Sequence, residues 1–500
     1  MKALIKQFRS DSSIFVVVIV CLIIAVRILP VWQTNFPLND GGLFYTMVQD
    51  IQIHHFSLPV FTTYNHFQIP FAYPPFGLYA VAVFNYIFGW DTIQIIRWLP
   101  SVFSVLTVAA FYLWARNFNL PSASWATIIF AFIPTSFKWQ VMGGGVTRGL
   151  GFLFAILTIS FAYSLYHTFN RQSFFLTALF SSLTVLSHPE ATWFLIYSLT
   201  LFWLFQKHRL LNLKYSLYLV LIALIMTSPW WLTVVTRHGW APFISALGTG
   251  GKWLAGLYLA TTLDWELESL ISILSVIGLL GIFFQIARGR WLLPAWTLTI
   301  LLLDARSASR FLTIPIALAA AIFLTRVILP SLKPLRHPFS IWLVIYIFIA
   351  AASLAWSVNP ILVSLSPDDR AAIHWVAQHS QPDSHWLVMP SAPSDHWSVD
   401  RLTEWFPALT NRTNITTVQG AEWLPNEFYR RIRNYKAAKI CNNQESGCLD
   451  QWSKFTGLKY NYVYVPKVEP ACCSLLEYSL KHNPKYHLVY DGPAAAIFSL

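Results

Sequence analysis

Only 11% of the 500 residues carry a formal charge, where an ordinary soluble domain carries roughly 25%. With hydrophobic residues at 56%, that deficit excludes a globular protein solvated by water on all sides. It fits a chain whose surroundings are largely lipid. Cysteine is almost missing before the C-terminal end: Cys21 stands alone, and Cys441, Cys448, Cys472 and Cys473 follow. The glycine-rich run Gly248-Thr249-Gly250-Gly251 follows no strand and carries no Walker pattern, so no nucleotide cofactor is expected. There is neither an internal repeat nor a low-complexity segment. Acidic residues number 22 against 34 Lys and Arg, a net charge of +12. That surplus does not point to nucleic acid, because the basic residues gather in short loops between apolar runs.

What the chain does have is apolar length and aromatic rings. Its 23 Trp, 21 Tyr and 38 Phe are side chains that favour membrane interfaces. Apolar segments near residues 14–31, 74–90, 94–115, 123–138, 149–167, 174–187, 191–206, 215–232, 269–287, 291–303, 309–328 and 339–357 are membrane candidates. Several fall short of the ~20 residues that a perpendicular helix needs. The fold class expected is a polytopic α-helical membrane protein of about 11–13 transmembrane helices. The first run follows Lys2, Lys6 and Arg9 and lacks a small-x-small cleavage site. It reads as an uncleaved helix with a cytoplasmic N-terminus rather than a signal peptide.

Basic residues recur at every second loop: Arg116; His167 with Arg171; Lys207, His208, Arg209 and Lys214; Arg288 with Arg290; Lys333 with Arg336. These loops are expected in the cytoplasm. Residues 139–148, 188–190, 233–268, 304–308 and everything after 358 are then outside, as is 32–73 when counted from the N-terminus. The two counts disagree by one crossing at 74–90, a short segment that opens with Pro74-Pro75 and is a re-entrant candidate. The expected location is the plasma (cytoplasmic) membrane.

Two domains follow: a transmembrane part over 1–358 and a small soluble extracytoplasmic α/β domain over 359–500. In the latter, Ser366 is a candidate N-cap for a helix over 366–379, with Pro367 at its first position and Asp368 and Asp369 in its first turn. Apolar stretches at 385–389 and 460–465 read as strands, and 486–498 as a hairpin around Asp491-Gly492. The four cysteines there allow three pairings, with one or two disulfides expected outside the cell. A zinc site is the rival, although the spacing matches no common finger.

The outer loop after the first run holds the densest set of candidates. Asp40 stands just past the membrane segment, and a helix is expected to follow with Asn39 or Asp40 as its N-cap. Leu43, Phe44, Met47, Val48 and Ile51 would form one apolar face, a spacing suited to a helix in the interface plane. Beside its reading as a cap, Asp40 is a candidate proton acceptor or metal ligand. Asp50 is a second candidate metal ligand. His54, His55 and His66 are further candidates, or plain interfacial histidines. Elsewhere, His188 and Glu190 lie at another outer boundary, readable as a polar turn or as site residues. Asp304, Arg306 and Arg310 form an outer cluster that is either self-paired or a phosphate fork. Asn411-Arg412-Thr413 and Asn414-Ile415-Thr416 have the glycosylation acceptor pattern, of consequence only in a eukaryotic secretory pathway.

An Asp just past the first transmembrane run, a short helix, then Tyr73-Pro74-Pro75 entering the next apolar segment resembles the GT-C superfamily of integral-membrane glycosyltransferases. Residues 97–116, opening Arg97-Trp98-Leu99-Pro100-Ser101, resemble a helix of the protein O-mannosyltransferase and aminoarabinose transferase branches. Gly143-Gly144-Gly145-Val146-Thr147-Arg148-Gly149 matches a recurrent position in related bacterial enzymes. The resemblance is best in the N-terminal half. It implies sugar transfer from a polyprenyl-phosphate donor to a protein, glycan or lipid acceptor on the outer face, with membrane lipid as partner and no nucleic acid. It implies Asp40, Glu190 and His188 as catalytic candidates, and Arg306 and Arg310 as donor-phosphate ligands, with Arg148 and Lys252 weaker candidates for the same role. A divalent ion (Mg, Mn or Zn) is the implied cofactor. The chain departs from the pattern at Gly41, where the mannosyltransferase branch has a second acid, and at Arg148, in a loop where several relatives carry an acid. The rival classes are a transporter, which would place its polar site at the midplane within repeats, and a non-catalytic envelope assembly protein.

Overall fold

The computed structural model describes residues 2–250, 272–356, 362–392, 397–467 and 472–500. Lys252 and Trp253 lie outside these residues. The helical part comprises α1 (Lys2–Trp32), α2 (Gly42–Ile53), α3 (Phe76–Phe88), α4 (Thr92–Asn119), α5 (Ala123–Phe132), α6 (Gly145–His167), α7 (Arg171–Val185), α8 (Pro189–Leu204), α9 (Arg209–His238), α10 (Ala241–Leu247), α11 (Ser272–Ala287), α12 (Leu292–Leu303), α13 (Ala308–Phe323) and α14 (Arg336–Trp356). Five spans, within Thr92–Asn119, Gly145–His167, Arg209–His238, Ala308–Ser331 and Lys333–Ser353, are long and apolar enough to cross a membrane unaided.

Hydrogen bonds between helix ends fix which way each helix runs. Arg97 near the start of α4 donates to the Val31 carbonyl at the end of α1 (3.2 Å), and Ser307 at the start of α13 donates to Glu190 at the start of α8 (2.8 Å). At the opposite face, Asn117 at the end of α4 donates to Ser160 near the end of α6 (3.2 Å), and Asn212 early in α9 to the Tyr166 carbonyl (3.2 Å). Helix α4 therefore runs from one face of the bundle to the other. Helix α3 does not. Its first N–H binds the Leu186 carbonyl (2.9 Å) at the end of α7, and its last turn leads through Gly89 straight into the start of α4, at the same face. The missing crossing at 74–90 is thereby accounted for.

The transmembrane core is built by small residues that let backbones approach. Gly278 and Gly281 of α11 lie against Ile316 and Ala319 of α13, which carries the buried run Ala319-Ala320-Ala321. Arg27, fully buried in α1, has no carboxylate partner among the described residues. Its guanidinium donates instead to the Ser104 carbonyl and hydroxyl, the Ala131 carbonyl and the Ser136 hydroxyl, at 2.7 to 3.1 Å. A charge at that depth is tolerated because both terminal nitrogens are matched by acceptors, while Nε is buried without one.

The C-terminal part is a three-layer α/β unit. A five-stranded sheet, ordered β4 (Thr413–Asn414), β3 (His385–Val388), β5 (Tyr462–Pro466), β7 (Ala495–Ser499), β6 (His487–Asp491), pairs β3 parallel to β4 and β5 and the rest antiparallel. Helices α15 (Pro367–His379) and α16 (Arg401–Thr410) cover one face, and α17 (Glu427–Ile440), α18 (Gly447–Thr456) and α19 (Ser474–His482) the other. The expected capped helix, strands and hairpin are all present, and Ser366 and Asp369 form a reciprocal capping box. The cysteines pair as Cys441–Cys448 and Cys472–Cys473.

The loop between α1 and α4 is clamped between bundle and sheet. A two-stranded pair, β1 (Phe61–Thr62) with β2 (Ile69–Pro70), braces it. Asn65 and Asn414 exchange two hydrogen bonds (2.9 and 2.6 Å), and Trp405 of α16 donates to the Asn39 carbonyl (3.0 Å). The apolar stripe of α2 (Leu43, Phe44, Met47, Val48, Ile51) is buried against Tyr64, Phe71, Val81 and Ile96. It faces protein where the sequence suggested the membrane interface.

Candidate active site

The chain expected to cap α2 does not cap it. Gly41 occupies the N-cap position without a side-chain bond to the helix. The Asn39 amide turns to the Ser398 carbonyl (3.1 Å). Asp40, 8% exposed, turns the other way. Its Oδ1 accepts the Gly144 N–H at 2.8 Å and its Oδ2 pairs with Arg148 Nη1 at 2.7 Å. The cap reading of Asn39 and Asp40 is corrected on this geometry. The glycines make the approach possible. Gly41 has φ +128°, a conformation open in practice to glycine alone, and the ring of Trp405 stands 3.0 Å from where its Cβ would be. A second acid at position 41 has no room. A Cβ on Gly144 would sit 2.6 Å from Asp40 Oδ2 and 2.8 Å from Arg148 Nη1. Gly144→Ala is therefore expected to separate the pair and lower turnover by about tenfold or more, since angstrom-scale misplacement at a reacting group costs up to about 10²-fold. Retention of full turnover in a purified, folded Gly144→Ala protein would contradict this geometry.

Arg148 is held from both sides. Its Nε and Nη2 donate to the Trp139 carbonyl (3.2 and 3.1 Å), and its guanidinium lies over the Trp139 ring at 5.6 Å. It stands within electrostatic reach of Asp40, of the Tyr73 hydroxyl and of Glu190. Tyr73 bonds the Thr147 hydroxyl (3.2 Å), and its ring contacts His188 and Trp423 edge-on, at 6.3 and 5.6 Å. His188 precedes α8, and Glu190 lies in its first turn.

Glu190 gathers the expected phosphate fork around itself. Arg310 Nη2 is 2.6 Å from its Oε2 and Arg306 Nε 3.6 Å from its Oε1, while the Ser307 hydroxyl donates to Oε2. Asp304 does not join the arginines: its carboxylate accepts from the Tyr197 hydroxyl (3.2 Å). The self-paired reading of the 304–310 cluster is thus replaced by a pairing across helices α8 and α13. Arg306 is the freer of the two, with its side chain 37% exposed, and it also donates to the Thr249 hydroxyl (3.2 Å). Three guanidinium groups (Arg148, Arg306, Arg310) meet two ion-paired carboxylates (Asp40, Glu190), a surplus of one positive charge.

The metal candidates do not fit a metal as they stand. Asp50 is 1% exposed and wholly engaged by the Thr62 hydroxyl (2.6 Å), the Thr63 N–H (3.0 Å) and the Thr63 hydroxyl (2.7 Å); it anchors the strand β1 rather than meeting Asp40. Asp40 is already neutralised by Arg148. His54 bonds the Asp50 carbonyl through Nδ1, and His66 bonds the Asn411 side chain. Among the described residues no group of three His, Cys, Asp or Glu is close enough together to hold an ion.

Two acids that the sequence did not single out come from the C-terminal unit. Glu404 of α16, 3% exposed, accepts the Gly41 N–H at 2.9 Å on Oε1 and the Gln419 amide at 3.1 Å on Oε2. Burial, with nearby Asp40 second, holds its carboxyl up at about 8, against the Gly41 N–H, Arg148 and the Leu43 N–H, which pull it down. Glu422 lies next to Trp423; burial raises its carboxyl too, against the pull of Arg306. Both sit in a soluble-looking segment more than 360 residues from Asp40 and match no motif, so only three-dimensional packing reveals them.

The sequence profile of the family described as dolichyl-phosphate-mannose-protein mannosyltransferase matches residues 72–232. A search of curated proteins returns no match. Among solved structures, the chain resembles ArnT from Cupriavidus metallidurans bound to undecaprenyl phosphate, at 13% identity and a TM-score of 0.57, covering 97% of this chain and 98% of that one. It resembles the oligosaccharyltransferase of Archaeoglobus fulgidus in complex with zinc and sulfate, at 15% identity and a TM-score of 0.56, covering 96% of this chain and 72% of that one. It also resembles the arabinofuranosyltransferase AftD from Mycobacteria at 15% identity and a TM-score of 0.54, covering 97% of this chain and 40% of that much longer one. The architecture is the GT-C fold of membrane glycosyltransferases.

Proposed function

We propose that this protein transfers a sugar from a polyprenyl-phosphate donor to an acceptor hydroxyl at the outer face of the plasma membrane. The observation that carries the reading is the pairing, at one end of a GT-C bundle, of an aspartate with two free lone-pair directions and a cluster of guanidinium groups with a surplus of positive charge. A carboxylate offers about four acceptor sites. Gly144 and Arg148 occupy one on each oxygen of Asp40, which leaves room for a hydroxyl proton.

In this reading the acceptor oxygen attacks the anomeric carbon as its proton passes to Asp40. The bond from that carbon to the phosphate oxygen breaks, and polyprenyl phosphate leaves with the electron pair. Negative charge grows on the phosphate during that step, and Arg306, Arg310 and Arg148 supply the compensating field. Glu190 and His188 shape the chamber by holding the arginines and the Tyr73 ring. No step is routed through a metal. The same reading places the basic helix ends in the cytoplasm and the C-terminal unit, with its two disulfides, in the oxidising space outside. A transporter is less well matched, because the ionisable side chains stand at helix ends and not at the midplane.

The direct test uses the full chain in lipid nanodiscs. Undecaprenyl phosphate should bind, and Arg306→Gln should weaken that binding by about 5- to 10-fold, as loss of one charge-assisted contact of roughly 1–1.5 kcal/mol implies. Undecaprenyl phosphate that fails to bind at all, or binds equally with and without Arg306, would count against the reading.

A further inference from the structure

The first N–H groups of a helix have no partner within the helix and need an acceptor from elsewhere. For α2 none of the preceding side chains provides it: Asn39 and Asp40 are both turned away, and Gly41 has no side chain to offer. The acceptor comes from another domain. Glu404 Oε1 takes the Gly41 N–H at 2.9 Å, and its carboxyl also interacts with the backbone N–H of Leu43. The fit is close and rigid. A Cβ on Gly42 would stand 2.7 Å from the Glu404 carbonyl oxygen. That same carbonyl accepts the Tyr64 hydroxyl at 2.7 Å, and the next residue, Trp405, holds the Asn39 carbonyl. The start of α16 is itself fixed by Asp400, which caps Thr403 and accepts the Tyr435 hydroxyl at 2.7 Å.

We infer that Glu404 is the N-cap of α2, supplied across the domain boundary, and that by taking this role it frees Asp40 to face Arg148 and the chamber. Glu404 is thus a positioning residue: it acts on the reaction through Asp40, which in this respect rests on the glycosyl-transfer reading. The inference also explains Gln419. Its Oε1 is buried without a partner while its Nε2 meets Glu404. With the amide turned round, the oxygen would accept a hydrogen bond from the protonated Glu404 carboxyl. Glutamine at 404 would satisfy the same arrangement, with its carbonyl on Gly41 and its NH2 on Gln419.

Hydrogen exchange on the full chain in nanodiscs tests the cap without any substrate. Glu404→Ala is expected to speed exchange of the Gly41, Gly42 and Leu43 amides by about 5- to 30-fold, the range a lost cap implies. Glu404→Gln should stay within about twofold of the parent, and Asp40→Asn should leave those amides protected, because Asp40 is not the cap. If the alanine variant does not fold, rescue by glutamine and the protected amides of Asp40→Asn carry the test. Unchanged exchange in Glu404→Ala, or deprotection in Asp40→Asn, would overturn the inference.

A second arm reads release of undecaprenyl phosphate from undecaprenyl-phosphate-linked sugars. Glu404→Ala should slow it by about tenfold or more with undecaprenyl phosphate affinity unchanged, and Glu404→Gln should restore it. If the parent releases no undecaprenyl phosphate, the glycosyl-transfer reading fails, and if Asp40→Asn keeps turnover, Asp40 is not the base; in either case the exchange result on Glu404 still stands. If Asp40→Asn is inactive and Glu404→Ala neither deprotects nor slows, the inference alone fails.

Discussion

Asp40→Asn should lower sugar transfer by about 10²- to 10⁴-fold, the usual contribution of a positioned general base, while leaving the protein folded. Asparagine keeps the shape of aspartate and can still accept the Gly144 N–H. It loses proton affinity and the charge that pairs with Arg148 at 2.7 Å. The loss of that partner is softened locally, because Arg148 retains two bonds to the Trp139 carbonyl and the face of the Trp139 ring. The stability cost should therefore stay near 1–3 kcal/mol, the price of one orphaned charged contact. Affinity for undecaprenyl phosphate should hold or rise slightly, since Arg148 is left with charge to spare. The measurement is turnover and lipid-phosphate binding on the same preparation. Turnover within about threefold of the parent would remove Asp40 from the reaction, and an unfolded variant would show that its role is structural.

How much of this was legible in the sequence depended on whether the cause was local. The bundle announced itself through missing charge and apolar length, because lipid acts on each segment separately. Helix α15 was readable from Ser366, Pro367 and Asp369, which cap one another within one turn. The pairing of Arg306 and Arg310 with Glu190 was not legible, because Glu190 lies on a different helix far away in the sequence. The cap of α2 failed for the same reason. Asn39 and Asp40 satisfy every local rule for that role, yet the docked α16 brings a competing acceptor from position 404, and Gly41 at φ +128° swings Asp40 away. Glycines at 41, 42, 143 and 144 were visible as a pattern, but their reason was not. They clear space where the turn at Asp40, the turn at Gly143 and helix α16 approach one another from distant parts of the sequence.

Removing Arg310 should be the most destabilising single change at the site. Its side chain is 7% exposed, and its Nη2 stands 2.6 Å from Glu190. Deleting Arg310 leaves Glu190, whose side chain is 29% exposed, with Arg306 at 3.6 Å and the Ser307 hydroxyl, so the cost should be about 2–3 kcal/mol, below that of a fully buried pair. Arg310→Met should show that loss in thermal unfolding in nanodiscs. Glu190→Gln should cost less than Arg310→Met, because Arg306 and Arg310 then retain a neutral acceptor and Arg306 reaches solvent. The double variant Glu190→Gln with Arg310→Met should recover a large part of the stability, since neither charge is stranded; a coupling of about 0.5–3 kcal/mol between the two is expected. It should not recover tight binding of undecaprenyl phosphate, for which the positive charge itself is needed. The two quantities therefore separate what the pair does for the fold from what its arginine does for the ligand. Equal stability of the three variants would mean that the pair is not coupled, and full lipid-phosphate affinity in the double variant would mean that Arg310 holds Glu190 and nothing else.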